Sequence, residues 1–157
     1  MNSYDRLFGS GPRGFLIGAV FFIITYLLED IISLPKITDN DMIRYTVFGI
    51  SSIITIFIII WSLKSLPVNK RGKKLVMTGA FKYFRHPLYA AFVSFFNYGF
   101  AVLMNNWIYM IWAVMMLPLW HINIKREENL MIKKFGQEYI DYCNKTGRFI
   151  IKFVKSN

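Results

Sequence analysis

The chain has 157 residues, of which 55% are hydrophobic and 18% aromatic, and its formal net charge is +10. An average soluble domain is only about 45–50% apolar, so this composition disfavours an ordinary soluble protein. The basic excess suggests nucleic-acid binding, but the charges are confined to a few blocks between long uncharged runs. We therefore predict a multi-pass membrane protein that attracts anionic lipid headgroups and binds no nucleic acid.

The first two predicted spans cover about residues 14–34 and 45–66. No charge occurs from Gly14 to Leu28, and Glu29-Asp30 then lies near the outer end, where we expect it to reach interfacial water. The second span contains an uncharged run from Tyr45 to Leu63. The first run has no small-x-small cleavage pattern at its end, so it is not typical of a signal peptide.

The next uncharged run, residues 87–124, predicts a helical hairpin. Its 38 residues would form a helix roughly 57 Å long, whereas the hydrocarbon core is only about 30 Å thick. The run must therefore turn once, and Asn105-Asn106 provides a polar tip at its middle. This gives a third span over about 87–104, with Pro87 in the first helical turn, and a fourth over about 107–124.

A C-terminal amphipathic helix should follow the fourth span. Met131, Phe135, Tyr139 and Tyr142 recur at helical spacing, which is typical of a helix lying along the membrane surface. The predicted fold is therefore an all-α membrane bundle of about four transmembrane helices plus this interfacial helix, within a single domain covering residues 1–157. The sequence does not indicate an oligomeric state.

The basic residues predict the orientation of this bundle. All but two of the 19 lie before the first span, between the second and third, or after the fourth; the exceptions are Lys36 and Arg44. This distribution follows the positive-inside rule and places both termini in the cytoplasm. With one cysteine and two histidines on different elements, we expect no metal site.

Two clusters of polar and aromatic residues border the third and fourth spans on the predicted cytoplasmic side. One ends in Arg85-His86-Pro87, and the other begins with Glu127-Glu128. The first cluster can receive an anion at a helix start, and either glutamate can receive an ammonium. With Phe81, Tyr83 and Tyr89 as aromatic walls, the gap between the clusters suits one dipolar ligand.

These motifs resemble the isoprenylcysteine carboxyl methyltransferase and phospholipid methyltransferase superfamily. The Arg-His-Pro-x-Tyr block is followed about 40 residues later by Glu-Glu-x-x-Leu and Phe-Gly-x-Glu-Tyr-x-x-Tyr, and the resemblance covers roughly residues 64–150. It implies a multi-pass enzyme that uses S-adenosyl-L-methionine. By position it implies cofactor contacts at Lys73, Lys74, Leu75, Val76, Phe81, His86, Pro87, Leu88, Tyr89 and Glu127.

The resemblance also implies roles in catalysis and in acceptor binding. Arg85, His86 and Glu127 are the expected catalytic residues. Asn123 stands where isoprenylcysteine enzymes have an arginine for the substrate carboxylate, and Lys125 or Arg126 could compensate for it. With His121, which is otherwise a hydrogen-bonded bundle histidine, Asn123 and Arg126 form the expected substrate-binding set.

The reaction class and the acceptor are left open by the sequence. The resemblance implies methyl transfer at the cytoplasmic membrane face, to the carboxylate of a prenylcysteine-like group or to the amine of a phospholipid. The alternatives are a nicotinamide-dependent membrane reductase, since some sterol reductases share a similar C-terminal pattern, and a non-catalytic membrane adaptor.

Overall fold

A computed structural model describes residues 9–67 and 73–152, and within these ranges the chain is helical. Four helical stretches are long and apolar enough to cross a membrane, which confirms the predicted all-α membrane fold. The described ranges contain one β-type pairing, which is an isolated bridge between Phe84 and Gly147. Arg6, Lys70, Arg71 and Lys155, which count toward the predicted cytoplasmic charge, lie outside them.

Besides a short 3-10 helix at Gly79–Lys82, six helices follow one another along the described parts of the chain. They are α1 (Gly11–Glu29), α2 (Asp41–Ser65), α3 (Pro87–Met104), α4 (Trp107–Asn123), α5 (Lys125–Phe135) and α6 (Gln137–Lys145). The helices α4 and α5 continue one another over 29 residues, or about 43 Å at 1.5 Å per residue. This length exceeds the hydrocarbon core, so the charged end of α5 emerges from the membrane.

Helix α1 ends at Glu29, five residues before the predicted boundary at Leu34. The Glu29 carboxylate accepts hydrogen bonds from the hydroxyl of Tyr109 and from the side-chain amide of Asn106. It therefore does not depend on interfacial water alone. Pro35 also disfavours a helical conformation at the residue before it. The segment after Asp30 therefore leaves the helix and crosses to α2.

The spans pack in the order α2, α3, α4, α1. Helices α2 and α3 approach closely at Gly99, where an added Cβ would lie 1.7 Å from Ser51 Oγ. Small residues allow such backbone approach in membranes, where apolar side chains gain little by leaving lipid. The pair α3 and α4 forms the centre of the molecule, and α1 and α2 expose most of their apolar side chains at its flanks.

Both ends of the α3–α4 hairpin have identifiable local causes. At the tip, Asn105 ends α3 in the left-handed conformation, and the Asn106 side chain caps α4 by accepting a hydrogen bond from Ile108 N. At the other end, Pro87 begins α3, which widens into a π-helical turn over Ala91–Phe96. Thr55 Oγ1 of α2 donates to the Ala91 carbonyl in that turn, as expected where a π turn leaves a carbonyl poorly paired.

The apolar stripe of α5 and α6 packs against protein. Gly136, at φ +56°, separates the two helices, and Tyr139 and Tyr142 are buried against Leu75 from the segment that precedes α3. The Tyr142 hydroxyl donates to the Phe81 carbonyl at 2.6 Å. Burial raises the pKa of Tyr142 above its usual range, so this phenol stays protonated and keeps donating. The stripe thus fixes the segment before α3 instead of lying wholly against lipid.

Candidate functional site

The candidate site lies at the end of the α3–α4 hairpin opposite the Asn105-Asn106 tip. His86 immediately precedes α3, and Glu127 and Glu128 occupy the first turn of α5. The backbone N–H groups of Arg85 and His86 donate to the carbonyls of Gly147 and Arg148. The hairpin and the C-terminal loop therefore bring the two sequence motifs into contact.

Glu128 is the centre of a buried ion-pair cluster. Its side chain is 7% exposed, its Oε1 lies 3.1 Å from Arg85 Nη1, and its Oε2 lies 2.6 Å from Arg148 Nη2. Arg148 Nε also donates to Oε1 at 3.2 Å. A buried carboxylate is stable only when such partners replace the water it has lost. Glu128 therefore joins the C-terminal loop to α5 and to the Arg-His-Pro motif.

Glu127, the residue before it, is more open and is bound differently. Its side chain is 28% exposed, and its Oε1 lies 3.8 Å from His86 Nδ1. Its Oε2 accepts hydrogen bonds from Ser10 N at 3.0 Å and from Tyr89 Oη at 3.3 Å. This carboxylate therefore keeps an accessible edge while neutral donors, and a histidine that can be protonated, surround it.

An aromatic row extends from His86 along the site. The His86 ring stacks on Tyr89 at a centroid distance of 5.7 Å, and Tyr89 packs on Trp120 at 4.7 Å. His86 is 8% exposed; its Nε2 lies 3.4 Å from Glu128 Oε1 without hydrogen-bond geometry. The row can pack against a flat ring or against a cation, whose charge the electron-rich faces of Tyr89 and Trp120 attract.

The residues expected to bind the acceptor divide between two places. Asn123 lies beside the cluster, where its Nδ2 donates to Ser10 O at 2.9 Å and its buried Oδ1 has no hydrogen-bond partner. His121 is one turn from Leu117, whose carbonyl lies 2.8 Å from its Nδ1, and its ring meets Phe149 edge-on at 5.0 Å. Arg126 is exposed on α5.

The residues expected to bind the cofactor from the segment before α3 are spread more widely. Leu75 is buried in the contact with α6, so its side chain serves packing. Lys73 and Lys74 are exposed, and Val76 and Phe81 are half-buried. Among those closer to the cluster, Pro87 is buried and Leu88 half-buried at the start of α3. The structure thus groups Arg85, His86, Tyr89, Glu127 and Asn123 around one point, with the lysines outside that group.

Four residues of this region were not predicted from the sequence to belong to the site: Ser10, Trp120, Arg148 and Phe149. Trp120 follows Trp112 and Met116 at four-residue spacing, which is typical of helix packing, and Arg148 lies in a basic tail that the positive-inside rule already explains. Ser10 reaches Glu127 across 117 positions of the chain. Such contacts depend on how the spans associate, and no local pattern reports them.

Comparison with known proteins provides one match. A family model described as phospholipid methyltransferase matches residues 42–138, which is more than half of the chain. This range contains α2 to α5 and both glutamates, and it ends before Arg148 and Phe149. No curated protein sequence matches the chain.

Proposed function

Because the chain belongs to the phospholipid methyltransferase family, we propose that it transfers a methyl group from S-adenosylmethionine to a lipophilic acceptor at the cytoplasmic face of the membrane. The observation that carries this proposal is the approach of His86 and Glu127, whose Nδ1 and Oε1 atoms lie 3.8 Å apart. The two residues are 41 positions apart in the chain and meet at one end of one hairpin. A single dipolar molecule can therefore contact both.

The residues present fit such a cofactor. S-adenosylmethionine supplies an electrophilic methyl group on a sulfonium, and it also carries an ammonium and a flat purine. Glu127 offers a partly exposed carboxylate for the ammonium, and the row of His86, Tyr89 and Trp120 offers aromatic faces. The buried Asn123 Oδ1 lacks a hydrogen-bond partner in the described structure. Buried polar atoms are usually paired, which supports a ligand at this point.

We propose further that the acceptor is an amine of a phospholipid headgroup. A carboxylate acceptor would need a cation inside the site, but Asn123 is neutral, and Arg85 and Arg148 are both paired with Glu128. Lys125 and Arg126, which could compensate for Asn123, are exposed on α5. An amine needs instead a group that can remove a proton. The residues of the site are better suited to removing a proton from an amine than to binding a carboxylate.

His86 is the proposed base for this proton. An ammonium must release a proton before its nitrogen can form a bond to the methyl carbon, and the imidazole of histidine is the most frequent general base in enzymes. When His86 takes the proton, Glu127 Oε1, 3.8 Å from Nδ1, can stabilise the imidazolium. The remaining acceleration comes from holding donor and acceptor in line.

The direct test is a methylation assay in lipid vesicles. We would reconstitute the purified protein with phosphatidylethanolamine, add cofactor carrying a deuterated methyl group, and follow the lipid by mass spectrometry. We expect label on the headgroup nitrogen, a strong loss in His86→Ala and Glu127→Gln, and no change in Glu138→Gln. Glu138 is an exposed carboxylate on α6, so it controls for the loss of one negative charge.

Cofactor binding separates this proposal from its alternatives. Labelled S-adenosylmethionine should bind the detergent-purified protein, and unlabelled nicotinamide cofactor should not displace it. Displacement by the nicotinamide cofactor would favour a reductase, and absence of any binding in folded protein would favour an adaptor. Binding that is indifferent to both His86→Ala and Glu127→Gln would contradict the site assignment.

A further inference from the structure

A groove of about 340 Å³ opens between α3 and α4 beside the C-terminal loop, residues 146–152. Its walls include Phe95, Tyr98, Leu117, Phe149 and Ile151. We infer that this groove holds one hydrocarbon chain of the lipid acceptor and so directs the headgroup to the histidines. The inference rests on the proposed function and names the place where its acceptor binds.

The depth of the groove indicates an apolar occupant. Ser94, which lines it, lies seven residues into α3 from Pro87, or about 10 Å along the helix. Ser94 therefore lies at a depth that belongs to the hydrocarbon layer, whereas Phe84, which also lines the groove, lies before the start of α3. The hydroxyl of Ser94 already donates to the Phe149 carbonyl at 3.0 Å, so it offers its donor to the loop rather than to a ligand.

The groove adjoins the candidate site, and the ring of Phe149 lies between the two. Phe149 is 1% exposed, and it separates the groove from the two histidines of the chain. Its ring centroid lies 5.0 Å from that of His121 and 6.3 Å from that of His86. In this proposal the headgroup end of the chain lies next to the Phe149 ring, which is in contact with His121 and close to His86.

The size of the groove favours one chain over two. A water molecule's share of liquid volume is about 30 Å³, and a methylene group is of similar size, so the groove holds roughly ten methylenes. A second acyl chain must then stay in the bilayer. The groove therefore predicts that a single-chain lysolipid with the same headgroup is bound as well as a diacyl lipid.

Photocrosslinking tests this assignment independently of methyl transfer. The probe is phosphatidylethanolamine with a diazirine in the middle of one acyl chain, reconstituted with the whole protein, and the labelled peptides are identified by mass spectrometry. We expect label on the peptides that contain Phe95 and Leu117. Label confined to α1 and α2, which expose most of their apolar side chains to lipid, would overturn the inference.

Two substitutions with opposite expected effects on labelling make the test specific. Leu117→Trp narrows the groove and should lower labelling about ten-fold, at the low end of the penalty for a group that does not fit an apolar pocket. Phe95→Ala widens it and should raise labelling by a probe with a methyl-branched chain. Met115→Trp is the matched control, because Met115 is 43% exposed and lies about 200° round α4 from Leu117. Unchanged labelling in both groove variants would refute the inference.

Cofactor-dependent methylation, measured on the same samples, distinguishes two failures. If the wild type methylates the lipid but Leu117→Trp loses neither labelling nor activity, the groove assignment is wrong and the proposed function stands. If the groove is labelled as expected but no methyl group is transferred, the proposed function is wrong and the lipid site stands.

Discussion

The two adjacent glutamates should differ sharply in what they contribute to stability and to ligand binding. Replacing Glu128 by Gln removes the charge that holds Arg85 and Arg148, at 3.1 and 2.6 Å, and leaves two guanidinium groups facing a neutral amide. Removing one partner of a buried ion pair typically costs about 3–5 kcal/mol. Because Arg148 is 27% exposed and can recruit water, we expect a value near the lower end, about 3 kcal/mol.

The same change at Glu127 should be mild. Glu127→Gln keeps an oxygen that can accept from Ser10 N and Tyr89 Oη, and the side chain is 28% exposed. We therefore expect a loss of no more than about 1 kcal/mol, the size of an ordinary hydrogen bond. Binding of labelled cofactor should nevertheless fall by about ten-fold or more, since hydrogen bonds to charged groups contribute about 1.5–3 kcal/mol.

Thermal unfolding in detergent, followed by tryptophan fluorescence, measures the stability difference. For chains of about this size, 1 kcal/mol shifts the midpoint by roughly 2–4 °C, so Glu128→Gln should lower it by roughly 6–12 °C and Glu127→Gln by a few degrees. Glu138→Gln should leave both stability and cofactor binding unchanged. A larger loss of stability in Glu127→Gln than in Glu128→Gln would refute the assignment of Glu128 as the structural partner of the two arginines.

Two further substitutions test the packing that supports the site. Gly99→Leu should destabilise the protein by about 1–3 kcal/mol through overpacking against Ser51, while Gly49→Leu should be tolerated because a Cβ there meets nothing within 4 Å; equal unfolding midpoints would contradict the close α2–α3 contact. Tyr142→Phe removes the hydrogen bond to the Phe81 carbonyl and should cost about 1 kcal/mol, with faster proteolysis in the segment before α3 as the local measure.

The spans were predictable because the physical constraint on them is strong and local. A backbone in hydrocarbon must pair its own polar groups, so each span is one long uncharged helix, and Asn105-Asn106 marks the turn that the length of the third run requires. The end of α1 was not predictable in this way. Residues 31–34 are as apolar as the span itself, and what ends the helix includes a contact between Glu29 and Tyr109 of another span.

The amphipathic stripe shows what periodicity leaves undecided. Spacing at Met131, Phe135, Tyr139 and Tyr142 establishes that one face of the helix avoids water, but it does not identify what covers that face. In the structure Leu75 covers part of it, and Tyr142 bonds to the Phe81 backbone. An apolar stripe can be buried against lipid or against protein with the same pattern, so the distinction needed the tertiary structure.

The different environments of Glu127 and Glu128 follow from helix geometry. Neighbouring residues on an α-helix point about 100° apart, so when one side chain in the first turn of α5 faces the protein interior, the next faces its edge. The inward carboxylate is held by two arginines, and the outward one keeps an oxygen 3.8 Å from His86. The pair thus separates two tasks that one carboxylate could not perform together. A glutamate neutralised by two guanidinium groups has little affinity left for a ligand's ammonium, and one open to a ligand cannot hold the C-terminal loop against α3.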